Sequence, residues 1–272
     1  MGPIGVFDSG YGGLTILDEF RRRLPEYDYL YLGDNARAPY GTRSYEVVYE
    51  YTLQAVKELF SRGCELVILA CNTASAKALR TIQQRDLPII GPEKRVLGVI
   101  RPSAEIIGEY TKSGHIGILA TTGTVNSESY VIEIGHFSPD SIVIQHACPM
   151  WVPLIENREH HSEYGKGFIK KDVQSLLERD TQIDTIVLGC THYPLIQEYI
   201  ESIVPAGIKI ISQGTIVAES LADYLERHPW MDVKCSKGGT VEFLTTESTE
   251  EFDRNASHFI QDDVRSTHIA LH

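Results

Sequence analysis

The chain is short of the features that would place it at a membrane, on nucleic acid or in an oxidising compartment. Its five cysteines, Cys64, Cys71, Cys148, Cys190 and Cys235, form no C-x-x-C pair. An odd number at wide spacing suits neither a disulfide framework nor a zinc knuckle, so free thiols are expected. No block of lysine and arginine stands out, and 37 acidic residues against 25 basic ones leave a formal net charge of −12. That balance disfavours a nucleic-acid groove or an anionic membrane surface as partner. A small anionic substrate stays compatible, because a few oriented N–H groups outweigh diffuse surface charge. No apolar run approaches the roughly 18 residues of a membrane span. Met1-Gly2-Pro3-Ile4-Gly5-Val6-Phe7 has no basic n-region and no myristoylation Ser or Thr. The expectation is a soluble, cytoplasmic protein.

What is present is ordinary globular material: 272 residues, 42% apolar and 23% charged, long enough for one large domain or two compact ones. Short apolar runs predict strands at Ile4–Phe7, Tyr29–Leu32, Leu66–Ala70, Ile116–Ala120, Ile142–Gln145, Thr185–Gly189, Ile208–Ile211 and Val241–Leu244. Amphipathic stretches between them predict helices at Leu14–Arg23, Tyr45–Arg62, Thr73–Arg85, Lys166–Arg179, Pro194–Ser202 and Val217–Arg227. Ser248-Thr249-Glu250-Glu251 reads as a capping box opening a last helix through about Phe259. Alternation of this kind predicts an α/β fold of mainly parallel sheets flanked by helices.

The chain also reads as doubled. Gly5-Val6-Phe7-Asp8-Ser9-Gly10 has a counterpart in Gly117-Ile118-Leu119-Ala120-Thr121-Thr122, 112 residues on, and Ala38-Pro39-Tyr40 in Val152-Pro153-Leu154, 114 on. Val67-Ile68-Leu69-Ala70-Cys71-Asn72 matches Ile186-Val187-Leu188-Gly189-Cys190-Thr191, 119 on. Two pseudo-symmetric domains are therefore expected, residues 1–97 plus 210–272 and residues 98–209, with a cleft between them.

Cys71 closes a buried-strand run and Asn72-Thr73-Ala74-Ser75 opens a helix. A thiol there lies outside the carboxyl end of a parallel strand, where open α/β sheets bind ligands. Cys190 repeats the arrangement ahead of Thr191-His192-Tyr193-Pro194. A single such cysteine is usually core filling. Two in equivalent places of a doubled chain would stand on opposite walls of one cleft, as two-base inversion of a carbon centre requires. Zinc on Cys71, Cys148, Cys190 and His192 is disfavoured by their wide spacing. A Cys–His hydrolase would use His192 but leave one cysteine without a role. Asp8-Ser9-Gly10-Tyr11-Gly12-Gly13 fails the dinucleotide fingerprint, since Thr15 stands where a third glycine belongs. Asp8 is either a plain N-cap or a group near Cys71. Gly33-Asp34 with Pro39-Tyr40-Gly41 suits a ligand loop. Thr121-Thr122-Gly123-Thr124 would offer hydroxyls from the second unit, and Glu156 is the nearby carboxylate there.

Together, Phe7-Asp8-Ser9-Gly10-x-Gly12-Gly13, Pro39-Tyr40-Gly41, Ala70-Cys71-Asn72-Thr73-Ala74 and Gly189-Cys190-Thr191-His192-Tyr193-Pro194-Leu195 make the chain resemble the glutamate branch of the cofactor-independent aspartate/glutamate racemase superfamily. The match runs across essentially the whole chain. The resemblance implies interconversion of L- and D-glutamate without a cofactor or metal, supply of D-glutamate for peptidoglycan, and a homodimer. It implies that Cys71 handles the D-glutamate α-proton and Cys190 the L-glutamate one. Asp8 would assist Cys71, and His192 and Glu156 would assist Cys190. Asp8, Ser9, Tyr40, Gly41, Asn72, Thr73, Thr191 and His192 would contact substrate. Two departures stand out: Gly91-Pro92-Glu93-Lys94-Arg95-Val96 makes a long link into the second unit, and Ser212-Gln213-Gly214 replaces an Asp-Ser-Gly-like turn. Neither is expected to touch the motifs. The first strand begins within four residues of Met1, so activity without a nucleotide-sugar activator is expected.

An aspartate racemase is the nearest rival, a binding protein that retains the fold is another, and a pyridoxal enzyme is disfavoured because no lysine lies in these motifs. Replacing Cys71 or Cys190 by Ser should each cripple racemisation, because a hydroxyl is far too weak an acid to stand in for a thiol. The same change at Cys64, Cys148 or Cys235 should leave most activity. A Cys190→Ser enzyme that racemises at the wild-type rate would contradict the two-base scheme.

Overall fold

Leu66-Val67-Ile68-Leu69 shows why these segments become strands with both faces covered. Leu66, Ile68 and Ala70 belong to one apolar cluster with Ile4, Val6 and Leu14. Val67, Leu69 and Cys71 belong to another with Phe7, Val48 and Leu59. Period-two alternation between two buried faces is what a parallel sheet with helices on both sides demands. The computed structural model describes residues 1–261 and 263–272.

The first sheet is built from β1 (Ile4–Asp8), β2 (Tyr29–Gly33), β3 (Leu66–Leu69) and β4 (Arg95–Gly98). Between them run α1 (Leu14–Arg23), α2 (Tyr45–Ser61) and α3 (Asn72–Lys77). After β4 come α4 (Ile100–Ile106), β5 (His115–Ala120), α5 (Thr122–Asn126), α6 (Ser129–Phe137) and β6 (Ile142–Ala147). Then follow α7 (Trp151–Glu156), α8 (Glu163–Arg179), β7 (Thr185–Gly189), α9 (Gln197–Ile203) and β8 (Lys209–Ile211). The chain ends with α10 (Gly214–Arg227), β9 (Val241–Thr245), α11 (Thr249–Ala256) and β10 (Ser266–His268).

Among the described residues the strands form two sheets, in the orders β10-β9-β2-β1-β3-β4 and β6-β5-β7-β8. Every pairing between these strands is parallel. The order β2-β1-β3-β4 is repeated as β6-β5-β7-β8, so the expected pseudo-symmetric α/β architecture is present, with β9 and β10 added at the outer edge of the first sheet. In each unit the chain moves from the central strand to one side and then returns to the other. That reversal splays the loops apart at the carboxyl ends of β1 and β3, and of β5 and β7, leaving a crevice at each switch point. Asp8 ends β1, Cys71 follows β3 by one residue beyond Ala70, and Cys190 directly follows β7.

Several elements differ from the sequence expectation. The predicted Thr73–Arg85 helix breaks after Lys77 and continues as Leu79–Thr81, a π turn at Ile82–Asp86 and Leu87–Ile90. Strands β4 and β10 were not expected; both are short edge strands, β4 overlapping the apolar run Val96-Leu97-Gly98-Val99-Ile100 that passes straight into α4, and β10 carrying no apolar run at all. The capping box is present, with Ser248 Oγ accepting from the Glu251 N–H at 3.2 Å, but α11 ends at Ala256, short of Phe259. No helix among the described residues is long and apolar enough to cross a membrane.

The second unit is pinned near its cleft by Trp151, fully buried at the start of α7. Its ring packs on Tyr193 with centroids 4.7 Å apart, and its Nε1–H donates to Asp172 at 2.7 Å. This joins α7, which carries Glu156, to the segment after β7, which carries His192. Trp151→Ala should destabilise the protein by roughly 3–5 kcal/mol, read as a lowered midpoint in urea. A loss below about 1 kcal/mol would show that the pair does not pack as described.

Candidate active site

The two switch points meet because the loop after β1 lies against the segment after β7. Gly12 is the point of closest approach: a Cβ there would fall 2.3 Å from Thr191 Oγ1 and 2.4 Å from His192 Nδ1. No side chain other than hydrogen fits. Thr15 Oγ1 donates to the Thr191 carbonyl at 3.0 Å, and Thr191 Oγ1 donates to Asp8 Oδ2 at 3.4 Å. On the other side, the Gly123 N–H donates to the Gly41 carbonyl at 2.7 Å, and the Thr73 and Thr121 hydroxyls lie 2.9 Å apart.

A narrow cavity of about 40 Å³ is enclosed between these contacts. Its walls include Ser9, Tyr40, Gly41, Cys71, Asn72 and Thr73 from the first unit, and Glu156, Cys190, Thr191 and His192 from the second. Of the residues expected to act or to touch substrate, Asp8 alone is missing from the wall. It is buried at 1% exposure behind it, where Oδ1 accepts from the Gly10 N–H at 2.9 Å. The sequence reading did not single out Val152, Pro149 or Cys148 as wall residues, though all three line the cavity. No polar signature marks the first two.

The two cysteines stand in unlike surroundings. Cys71 caps α3, its Sγ accepting from the Ala74 N–H at 3.4 Å and lying 3.4 Å from Ser9 Oγ. Burial, and after it the negative charge of Asp8, push the Cys71 thiol up to about 12. Asp8 itself is raised by burial, against the opposing pull of the His192 charge. The proton is thus held firmly on this side. Cys190 Sγ lies 3.8 Å from His192 Nδ1, and His192 Nε2 lies 2.9 Å from Glu156 Oε1. Burial lowers the imidazole, but its hydrogen bonds to Cys190 and Glu156 outweigh burial and raise it to about 10. The Cys190 side is therefore built to hold a positive charge next to sulfur.

Two further residues change the sequence reading. Tyr40 donates its hydroxyl to Asp34, a fully buried carboxylate that also pairs with Arg37 at 2.7 Å. The Tyr40 hydroxyl is thus committed to the loop, and Tyr40 meets the cavity otherwise. Ser212-Gln213-Gly214, expected to lie clear of the motifs, does not: Gln213 Oε1 accepts from Asn72 Nδ2 at 2.8 Å. Of the donors weighed for zinc, Cys148 groups with His146 and Asp172, whose ligand atoms lie within 4.8 Å of one another. His146 and Trp151 already occupy the two Asp172 oxygens.

Comparison with known proteins agrees with this geometry. The family described as Asp/Glu/Hydantoin racemase matches residues 15–221. A glutamate racemase of Ruegeria sp. (strain TM1040) is 39% identical over 271 residues, covering 96% of this chain and 97% of the relative. A glutamate racemase isoform from Bacillus anthracis superposes with a TM-score of 0.90 at 33% identity, covering 99% of this chain and 98% of that one. A Francisella tularensis glutamate racemase solved with D-glutamate gives a TM-score of 0.85 at 29% identity, covering 99% and 97%.

The His192 pairing has a defined pH signature. Its folded-state value lies above the ordinary imidazole value, so the stabilisation is complete below about pH 6.5 and is lost as pH rises through about 10. Glu156→Gln removes one of the supporting carboxylate interactions and should lower the His192 value, moving that loss to lower pH. Imidazole NMR titration of the two proteins checks this; an unchanged His192 titration would contradict the assigned role of Glu156.

Proposed function

Because the chain belongs to the Asp/Glu/Hydantoin racemase family and is an amino-acid racemase, an isomerase, we propose that it interconverts L- and D-glutamate with two cysteine bases. One observation supports this most: thiols from equivalent switch points of two like-ordered sheets line one cavity, each with its own proton-handling neighbour.

In the L-to-D direction, Cys190 as thiolate beside the His192 imidazolium removes the α-proton. The Cys71 thiol gives its proton to the opposite face. Cys190 ends as thiol and Cys71 as thiolate, and the buried Asp8 carboxyl lies behind Cys71 to return a proton. The D-to-L direction runs the same steps backwards. Hydroxyls of Ser9 and Thr73, with the Asn72 amide, are placed to meet carboxylates, and fixed donors lower the energy of the carbanion-like state without reorganising. No step requires a cofactor.

The Cys190–His192–Glu156 series also resembles a hydrolase nucleophile, base and orienting acid. That reading gives Cys71 and Asp8 no task. An aspartate racemase would share both thiols and differ only in the wall around the substrate side chain. The narrow cavity holds only about three waters' worth of space at roughly 10–15 Å³ each. We therefore propose that the unit built on the first sheet and the unit built on β5 to β8 part to admit substrate, hinging after β4 and after β8, with product release coupled to that motion. A homodimer and a role in supplying D-glutamate for peptidoglycan belong to the same proposal.

Circular dichroism of L-glutamate, and separately D-glutamate, incubated with dialysed protein should decay to zero from both sides. The kcat/KM profile should be bell-shaped, its two apparent values belonging to the coupled thiol pair. Faster racemisation of aspartate would reassign the substrate; a flat profile from mildly acidic to strongly alkaline pH would remove the two-base scheme.

A further inference from the structure

Gln213 occupies the short return between β8 and α10, and it is 3% exposed. Its Nε2 donates to the Val99 carbonyl at 3.1 Å and to Ser103 Oγ at 2.9 Å. Val99 and Ser103 lie at the outward crossing, directly after β4 and within α4. Both ends of the Gln213 amide are thereby assigned, because a backbone carbonyl only accepts. Its Oε1 must face Asn72, which donates through Nδ2 at 2.8 Å.

The consequence falls on Asn72, which lines the cavity next to Cys71. Its Oδ1 accepts from the Tyr130 hydroxyl at 2.8 Å. A phenol donates or accepts equally well, so Tyr130 would tolerate either orientation of the Asn72 amide. Gln213 would not. The polarity runs one way: Val99 carbonyl, Gln213 amide, Asn72 amide. An amide nitrogen carries two protons, and one of the two on Asn72 is spent on Gln213. The other is left for a ligand beside the hydroxyl of Thr73, and a carboxylate is the group that accepts from such a pair.

We infer that Gln213 is a positioning residue that fixes the Asn72 amide so that an N–H, and not a carbonyl oxygen, is available to a substrate carboxylate. It acts through Asn72 and touches no reacting atom. The inference rests on the racemase reading above, in which the ligand is an amino acid with carboxylates.

The test measures kcat and KM in both directions for the wild type, Gln213→Leu and Gln213→Glu, with thermal midpoints alongside. Gln213→Leu removes the relay and should raise KM for both enantiomers about tenfold while kcat stays within about threefold, the pattern of lost ground-state binding. Enantiomers are equal in energy, so kcat/KM must fall by the same factor in each direction. Gln213→Glu supplies a conditional rescue. Protonated, it donates to the Val99 carbonyl and accepts from Asn72 as Gln213 does; ionised, it sets a negative oxygen against that carbonyl. Its KM relative to wild type should therefore be near one at about pH 6 and rise towards about pH 9, since burial raises a carboxyl.

A Gln213→Leu protein with wild-type KM and only a lowered midpoint would overturn the inference, leaving Gln213 a structural residue. A Gln213→Glu ratio that is flat with pH would overturn it too, and this arm decides alone if the Leu variant does not fold. A wild type that racemises neither enantiomer sinks the racemase reading together with this one. A racemising wild type with unaltered variants sinks only this one.

Discussion

At Gly12 two backbones come so close that a methyl group would overlap both the Thr191 hydroxyl and the His192 ring. Everything distinctive about the site depends on this approach. It brings the carboxyl ends of β1 and β3 against the carboxyl end of β7, and so puts Asp8 and Cys71 opposite Cys190 and His192. Each unit alone would be an ordinary parallel sheet with a shallow crevice at its switch point. Pressed together, the crevices become one cavity with a thiol from each wall.

The units are alike in strand order and unlike in electrostatics. The first unit surrounds its thiol with burial and the charge of Asp8, both of which push the thiol up, and burial raises Asp8 in turn. The second sets an imidazole beside its thiol and a carboxylate behind that imidazole, so positive charge is held there. A reaction that removes a proton on one face and supplies one on the other needs one base empty while its partner is loaded, with the two states exchanged for the opposite direction. The like strand order accounts for the matching placement of the two thiols; Asp8 on one side and His192 with Glu156 on the other account for their unlike electrostatics.

Much of this was legible in the sequence. Buried apolar runs ending in Cys71 and Cys190 marked two strands and two switch points, because alternation and chain position are local properties. The doubled pattern was legible for the same reason, as three sequence matches in one chain order at offsets of 112, 114 and 119 residues. What the sequence hid was polar and long-range. Gln213 looked like a turn residue 141 positions from Asn72, yet their side chains meet at 2.8 Å. Tyr40 was expected to contact substrate, yet the buried Asp34 takes its hydroxyl. Neither pairing leaves a periodic trace. Strand β10 was missed because its three residues carry no apolar run, and β4 because its run, Val96-Leu97-Gly98-Val99-Ile100, continues directly into α4.

The central claim is that the α-proton leaves on one side and a different proton arrives on the other. It is tested most directly by incubating protiated L-glutamate with the enzyme in deuterium oxide and reading the α-carbon by NMR at low conversion. The account predicts D-glutamate bearing deuterium while the remaining L-glutamate keeps its hydrogen, since Cys71 delivers a solvent-exchanged proton. D-glutamate that retains the original hydrogen would mean that a single group carries the proton from face to face, and would contradict it.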